Sequence, residues 1–354
     1  MNQKVYIAIH HRENSFSERW IEYCDHHKIT YKLVNCYDSN ILDQLRDCDG
    51  MMWHWHHDDP KSILFARQLT YALEATGKKV FPNARTCWHF DDKVGQKYLL
   101  EAIGAPLVPN YVFYDKQTAL RFIEGTTFPK VFKLRGGAGS SNVKLVKEKA
   151  EARKLVNKAF GRGFTKIDRF SLFKDRLWHL KRDQNIAAVW GCFKGLARVF
   201  VPTRYEKSAG RDKGYVYLQD FIPDNNFDIR VIVIGERAFG IKRMVRDGDF
   251  RASGSGLIVH DYRQIPDACI NIAFDISRKL NAQCLGYDFV FDGSEYHIIE
   301  ISYGFTMKGY EPCPGYWDSD LKWYPGQFVA QHFMIDDFIK TLSPETVGPI
   351  NKGR

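Results

Sequence analysis

The chain has 354 residues, 44% of them apolar and 14% aromatic, enough for two or three packed cores and too apolar for disorder. No apolar run reaches the ~18 residues of a membrane-spanning helix, and the opening MNQKVYIAIHH reads as a first strand rather than an export signal. The eight cysteines include no CxxC pair and read as reduced cytoplasmic thiols, while the net charge of +9 suits an anionic ligand such as a nucleotide. No RNA- or DNA-binding signature accompanies that charge, so nucleic acid is not an expected partner.

Residues 1 to 90 alternate strand and helix. Val5–Ile9 is expected as a strand, followed by a helix from Ser17 to His27 behind the cap candidate Ser15. Strands at Thr30–Asn35 and Gly50–Trp53, a helix from Ser62 to Ala75 closed by Gly77, and a short strand at Lys79–Phe81 complete the pattern. Such alternation predicts an open parallel sheet with helices on its faces, with ligands beyond the carboxyl ends of the strands. His10-His11-Arg12 and His54-Trp55-His56-His57-Asp58-Asp59 follow strands and so fall at that mouth. Metal binding by the second cluster is the weaker reading, because alternate residues of an extended segment point to opposite sides. An anion-contacting or substrate-contacting loop suits it better, and an ordinary polar loop is the bland alternative.

Asp92–Ile103 is an amphipathic helix closed by Gly104, and Lys116–Glu124 a second helix leading into a strand at Pro129–Leu134. The glycine loop RGGAGSSNV, 135 to 143, then joins strand to strand, with Val143–Val146 following it. A Walker loop would run into a helix, so the loop is read as a flexible hairpin whose backbone N–H groups can cover phosphates. Lys133 lies just before it, where a half-buried ammonium needs an anionic partner. A tight hairpin with a bystander lysine is the plainer alternative. Residues 147 to 160 form a charged helix. The basic, aromatic stretch 161 to 214 is expected to be an insertion with a small core of its own.

Tyr215–Ile222 is a strand, and Phe227–Ile234 and Ala238–Val245 form a strand pair turned at Gly235-Glu236. The loop RDGDFRASGSG, 246 to 256, has the composition of an anion holder. A helix from Pro266 to Asn281 feeds two strands, Leu285–Phe291 and Tyr296–Ile301, joined at Asp292-Gly293-Ser294. Their register sets Asp288 opposite Glu300, about 5 Å apart at Cβ. Two carboxylates on one apolar face repel unless a cation lies between them. Magnesium, which recruits phosphates as further ligands, is one answer, and a pair of rim carboxylates is the other. An aromatic segment, Tyr303 to Phe328, precedes a last helix from Ala330 to Leu342.

The order of these features resembles the ATP-grasp superfamily. The carriers are a lysine before a glycine hairpin, QDFIPDNNFDIRVIVIGERAFGIKR, GDFR, and an Asp and a Glu on a hairpin. The likeness is to its RimK-like branch of glutamate- and peptide-adding carboxylate–amine ligases, over roughly residues 90 to 305. It implies an α/β (α+β) chain in three parts, with two α+β subdomains enclosing ATP. Residues 1–90 would be the amino-terminal open parallel αβα domain. Residues 91–220 would be the small subdomain with the glycine lid and the 161–214 insertion, and 221–354 the large subdomain with the magnesium site.

By that resemblance Lys93 and Lys133 contact the nucleotide phosphates, and Gly136, Gly137, Gly139, Ser140 and Ser141 belong to the lid. Asp220 and Phe221 stand at the adenine hinge and Asp228 on the ribose side. Arg243 and Arg251 lie near the γ-phosphate and the acceptor, and act in catalysis. Asp288, Glu300 and Ser302 hold Mg²⁺, one or two ions, with Mn²⁺ able to substitute. Ser302 stands where the family usually has Asn. The implied reaction is amide formation through an acylphosphate, between a small-molecule carboxylate and an amine. The carboxylate would be a uronic or amino-sugar acid of surface-polysaccharide synthesis, or an amino acid or peptide. An ATP-grasp kinase and a nucleotide-binding module without turnover remain alternatives, and self-association is left open.

Overall fold

The computed structural model describes residues 5–56, 59–137, 142–165 and 210–342. Most of the 161–214 insertion, 166–209, therefore lies outside the described residues. So do Gly139, Ser140 and Ser141 of the glycine loop, and His57 and Asp58 of the histidine cluster. The chain forms two compact units. One comprises 1–90, 227–244 and 256–354, and the other 91–226 and 245–255.

In the first unit, strands Tyr6–His10, Thr30–Val34, Gly50–Trp53 and Lys79–Phe81 make a parallel sheet, with the first strand flanked by the second and third. The sequence pattern predicts these strands to within a residue. It predicts the helices well because their caps are explicit. Ser15 accepts from the Ser17 N–H at the start of Phe16–His27, and Asp59 accepts from Lys61 at the start of Pro60–Ala75. Two four-residue helices, Ile41–Gln44 and Ala84–Cys87, are too short to show a helical period.

The same unit contains a seven-stranded sheet, antiparallel throughout, whose centre is Phe227–Ile234 between Arg237–Met244 and Cys284–Phe291. Tyr296–Ser302 adds outside the last of these. The aromatic segment, expected only as a tail, supplies two more strands, Gly315–Asp318 and Trp323–Pro325. One face of the central strand, Ile229, Val231 and Val233, is fully buried, as is the inward row of helix Asp267–Leu280 that includes Ile270, Ala273 and Phe274. The other face runs Asp228, Arg230, Ile232, Ile234. Its apolar end joins a core with Phe239, Ile241, Phe305, Met334 and Phe338. Its polar end is the candidate site.

The second unit is a four-stranded antiparallel sheet, ordered Asn110–Phe113, Val216–Asp220, Lys130–Lys133, Val143–Val146. Helices Lys116–Gly125 and Lys149–Phe160 cover one face, where Phe132, Leu134, Val146, Val216 and Leu218 pack against Ala119, Ile123, Ala152 and Val156. Alternation turns Val131, Lys133, Tyr217 and Gln219 to the opposite face, and all four are buried.

Candidate active site

In the first unit the strand register places five charged residues in one row. Asp228 pairs with Arg243, Arg230 with Asp288, and Asp288 with Glu300. The facing of Asp288 and Glu300 agrees with the sequence expectation, and a bulge follows at once between Asp288 and Phe289. Side chains lock the row together. Arg243 donates from Nε and Nη2 to the two oxygens of Asp228 at 2.6 and 2.7 Å, and its Nη2 lies 2.9 Å from Asp288 Oδ1. Arg230 donates from Nη1 to both oxygens of Asp288 at 3.1 Å, and from Nη2 to the Gly304 carbonyl at 3.4 Å.

These are buried ions. Asp228, Arg243 and Asp288 are 4%, 8% and 5% exposed, so each depends on its partners to offset desolvation. Burial pushes the Asp228 carboxyl up, against the neighbouring Arg243. Burial also disfavours charge on Arg243, but Asp288 and Asp228 beside it raise its pKa well above the ordinary value. The arginines stay charged at any ordinary pH, and two-pronged bonds of 2.6–2.7 Å are those of an ionised carboxylate. Two guanidiniums and two carboxylates cancel, so Glu300 leaves the row with one net negative charge.

Gly286 makes the arrangement sterically feasible. A Cβ there would lie 2.6 Å from Ile232 Cδ1 and 3.3 Å from Arg230 Nη2, crowding the guanidinium off Asp288. Ser302 pairs with Gly286 in register and donates from Oγ to the Gly304 carbonyl at 3.0 Å. Arg230 was the residue missed by sequence reasoning. Its shared face with Asp228 was legible, but its bond to a residue 58 positions away was not.

Among the described residues, no three His, Cys, Asp or Glu side chains gather into a metal-holding group. Magnesium needs fewer, since it is usually held by one or two carboxylates, with substrate phosphates and water completing its shell. Asp288, Glu300 and the Ser302 hydroxyl form an all-oxygen donor set on one strand face and fit that requirement. Glu300 is only half-buried and is better placed for an incoming ion than Asp288, whose oxygens already face two guanidiniums.

The second unit gathers the other expected residues. Lys93 opens helix Lys93–Ala102 behind the cap Asp92, donates from Nζ to the Gly137 carbonyl at 2.9 Å, and donates its N–H to the Arg135 carbonyl. The glycine hairpin is also tied to Asp91, which accepts from the Gly137 N–H at 2.6 Å. A Cβ at Gly136 would come within 2.9 Å of the same carboxylate. Lys133 is 6% exposed, opposite Tyr217 on the face away from the helices.

Asp220 is committed elsewhere. Its carboxylate takes Lys130 Nζ at 2.5 Å, and its N–H donates to the Pro109 carbonyl. Phe221 meets Phe250 edge-on, with ring centroids 6.1 Å apart. Arg251 forks Asp249 at 2.7–3.1 Å; although burial disfavours its charge, Asp249 is held below the usual carboxylate range by that guanidinium.

Among the described residues of the histidine clusters, His54, His10 and Asp59 make contacts that hold the fold. His54 is stacked on Phe16 at 3.6 Å and accepts from the Phe16 N–H at 3.1 Å, capping the first helix. His10 accepts from the Cys36 N–H at 3.0 Å. Asp59 caps the following helix and accepts from the Tyr37 hydroxyl at 2.6 Å. His57 and Asp58 of the cluster are not among the described residues.

Comparison with known proteins agrees with this frame. The RimK-like ATP-grasp domain family matches residues 205–314. A RimK domain ATP-grasp protein from Sphaerobacter thermophilus superposes with a TM-score of 0.55 at 15% identity, over 95% of this chain and 100% of that one. A D-alanine–D-alanine ligase from Bacillus anthracis complexed with ATP gives 0.56 at 11% identity, over 96% and 97%. The ATP-grasp ligase PsnB complexed with its minimal precursor gives 0.53 at 12% identity, over 96% and 99%. No curated protein sequence matches the chain. The chain has the ATP-grasp fold, and its residues 205–314 match the RimK-like ATP-grasp domain family. No helix among the described residues is long and apolar enough to cross a membrane.

Proposed function

We propose that this ATP-grasp enzyme is a magnesium-dependent ligase that joins a carboxylate to an amine through an acylphosphate. The observation that supports it best is the buried row Arg243–Asp228, Arg230–Asp288, closed by the half-buried Glu300. Arginines preorganised in a dry site stabilise charge that develops during phosphoryl transfer without reorganising. Magnesium held by Asp288, Glu300 and Ser302 would neutralise phosphate charge. By this reading Lys93 and Lys133 are the phosphate-contacting lysines, and Arg243 and Arg251 act on the transferred group and the acceptor.

The substrate carboxylate attacks the γ-phosphorus, and ADP leaves with the bond electrons. The amine nitrogen then attacks the acyl carbon, inorganic phosphate departs, and the surplus ammonium proton passes to solvent. Phosphoryl transfer relies on positioning and electrostatics rather than on a dedicated base. For the carboxylate we propose a uronic or amino-sugar acid of surface-polysaccharide synthesis, with an amino acid or peptide as the alternative. This part rests on the sequence resemblance of residues 303–318.

The test is ADP release over a matrix of carboxylates and amines, followed by mass spectrometry of any hit. An amide product with free phosphate supports the reading. A phosphorylated product makes the chain a kinase, and absence of magnesium-dependent ADP release with every pair rejects turnover.

A further inference from the structure

In the first unit, Arg67 and Tyr71 stand one turn apart on helix Pro60–Ala75 and share a face. The Tyr71 ring lies 6.4 Å from the ring of Trp55, which follows strand Gly50–Trp53, and Arg67 donates from Nη2 to the Phe90 carbonyl at 2.6 Å. Arg67 Nε, Tyr71 Oη and Trp55 Nε1 are shut off from solvent, and none has a hydrogen-bond partner among the described residues. Trp55 as a whole is 1% exposed. A single buried polar atom without a partner is uncommon. Here three share one neighbourhood, and two of them sit on groups that can only donate. They lack an acceptor.

Charge points the same way. Arginine keeps its charge, and among the described residues no carboxylate pairs with Arg67. Glu74, further along the same helix face, accepts from the Ala84 N–H at 2.6 Å instead. The titratable neighbours are neutral. Burial pushes the Cys87 thiol and the Tyr71 and Tyr303 hydroxyls up, and holds His89 down at about 4. Nearby carbonyls already receive donors, that of Trp55 from the Tyr303 hydroxyl at 2.6 Å and that of Asn83 from the Cys87 thiol at 3.0 Å. A water molecule would accept from the donors but leave the guanidinium without counter-charge, which is costly in a dry setting. Trp55, Cys87, Phe90 and Tyr303 are all 1% exposed or less, so the guest must also shed its hydration readily.

We propose that Trp55 Nε1, Arg67 Nε and the Tyr71 hydroxyl bind a small monovalent halide, chloride or bromide. The ion neutralises Arg67 and ties its helix to Phe90, whose ring lies 4.6 Å from that of Tyr303. The site is separate from the charge row, and its test does not depend on the ligase reading.

Thermal unfolding of the full chain is measured in sodium bromide balanced with sodium isethionate, whose anion is larger, at constant ionic strength. The Tm should rise saturably, by at least ~2 °C between about 1 and 100 mM bromide. Chloride should act in the same way. The rise should vanish in Arg67→Met, and its midpoint concentration should increase at least fivefold in Tyr71→Phe, which keeps the ring and the fold. Crystals grown in bromide should show an anomalous peak in contact with Trp55 Nε1 and Arg67 Nε. A Tm that does not distinguish bromide from isethionate overturns the proposal. So does an unchanged bromide dependence in both variants, or ordinary water density at the three donors with no anomalous peak.

Discussion

Asp288 faces Glu300 in register across its hairpin while both of its oxygens accept hydrogen bonds from Arg230 at 3.1 Å. The two carboxylates have different surroundings, and that separates their roles. Asp288 is a buried ion held by two guanidiniums, whereas Glu300 is half-buried.

Arg230→Met keeps the volume of the side-chain stem and removes the fork on Asp288. Removing one partner of a buried pair typically costs about 3–5 kcal/mol, because the other charge stays buried. A loss in that range is expected from urea unfolding at unchanged m-value. A loss below ~1 kcal/mol would show that Arg243 alone suffices for Asp288.

Glu300→Gln should behave in the opposite way. With Glu300 half-buried, stability is expected to stay within ~0.5 kcal/mol of the parent. The magnesium concentration for half-maximal ADP release should rise at least about tenfold, since a neutral amide replaces a charged oxygen ligand. An unchanged magnesium dependence would remove Glu300 from the metal site.

The contrast between these residues shows what the sequence made legible. Strand alternation and a turn signal were enough to set Asp288 against Glu300, because hairpin register is a local property. Arg230 and Asp288 meet across strands separated by 58 residues, so no local period reports their bond. The strands Asn110–Phe113, Gly315–Asp318 and Trp323–Pro325 escaped for a related reason. They are three or four residues long, and their pairing partners, not their own pattern, make them strands.

Lys133→Met tests the nucleotide assignment in the second unit. The substitution keeps an apolar stem on the buried face opposite Tyr217 and removes the charge. A charge-assisted contact to phosphate is worth about 2 kcal/mol, so the ATP Kd should rise ~30-fold by calorimetry. A Kd within threefold of the parent would make Lys133 a structural residue.

His89 provides a pH prediction independent of the reaction. It is fully buried just after the short helix Ala84–Cys87, and burial lowers its pKa from 6.5 to about 4. The unfolded chain therefore binds the proton more tightly than the folded one. Stability from this group is complete above pH ~6.5 and declines as pH falls toward 4. At about 1.4 kcal/mol per pKa unit the loss approaches ~3 kcal/mol by pH 4. His89→Phe, of similar shape and without a titrating group, should flatten that part of the stability profile measured by urea unfolding between pH 4 and 7. The parent should lose stability more steeply over the same interval. Parallel profiles for the two proteins would show that His89 is not the group that titrates there.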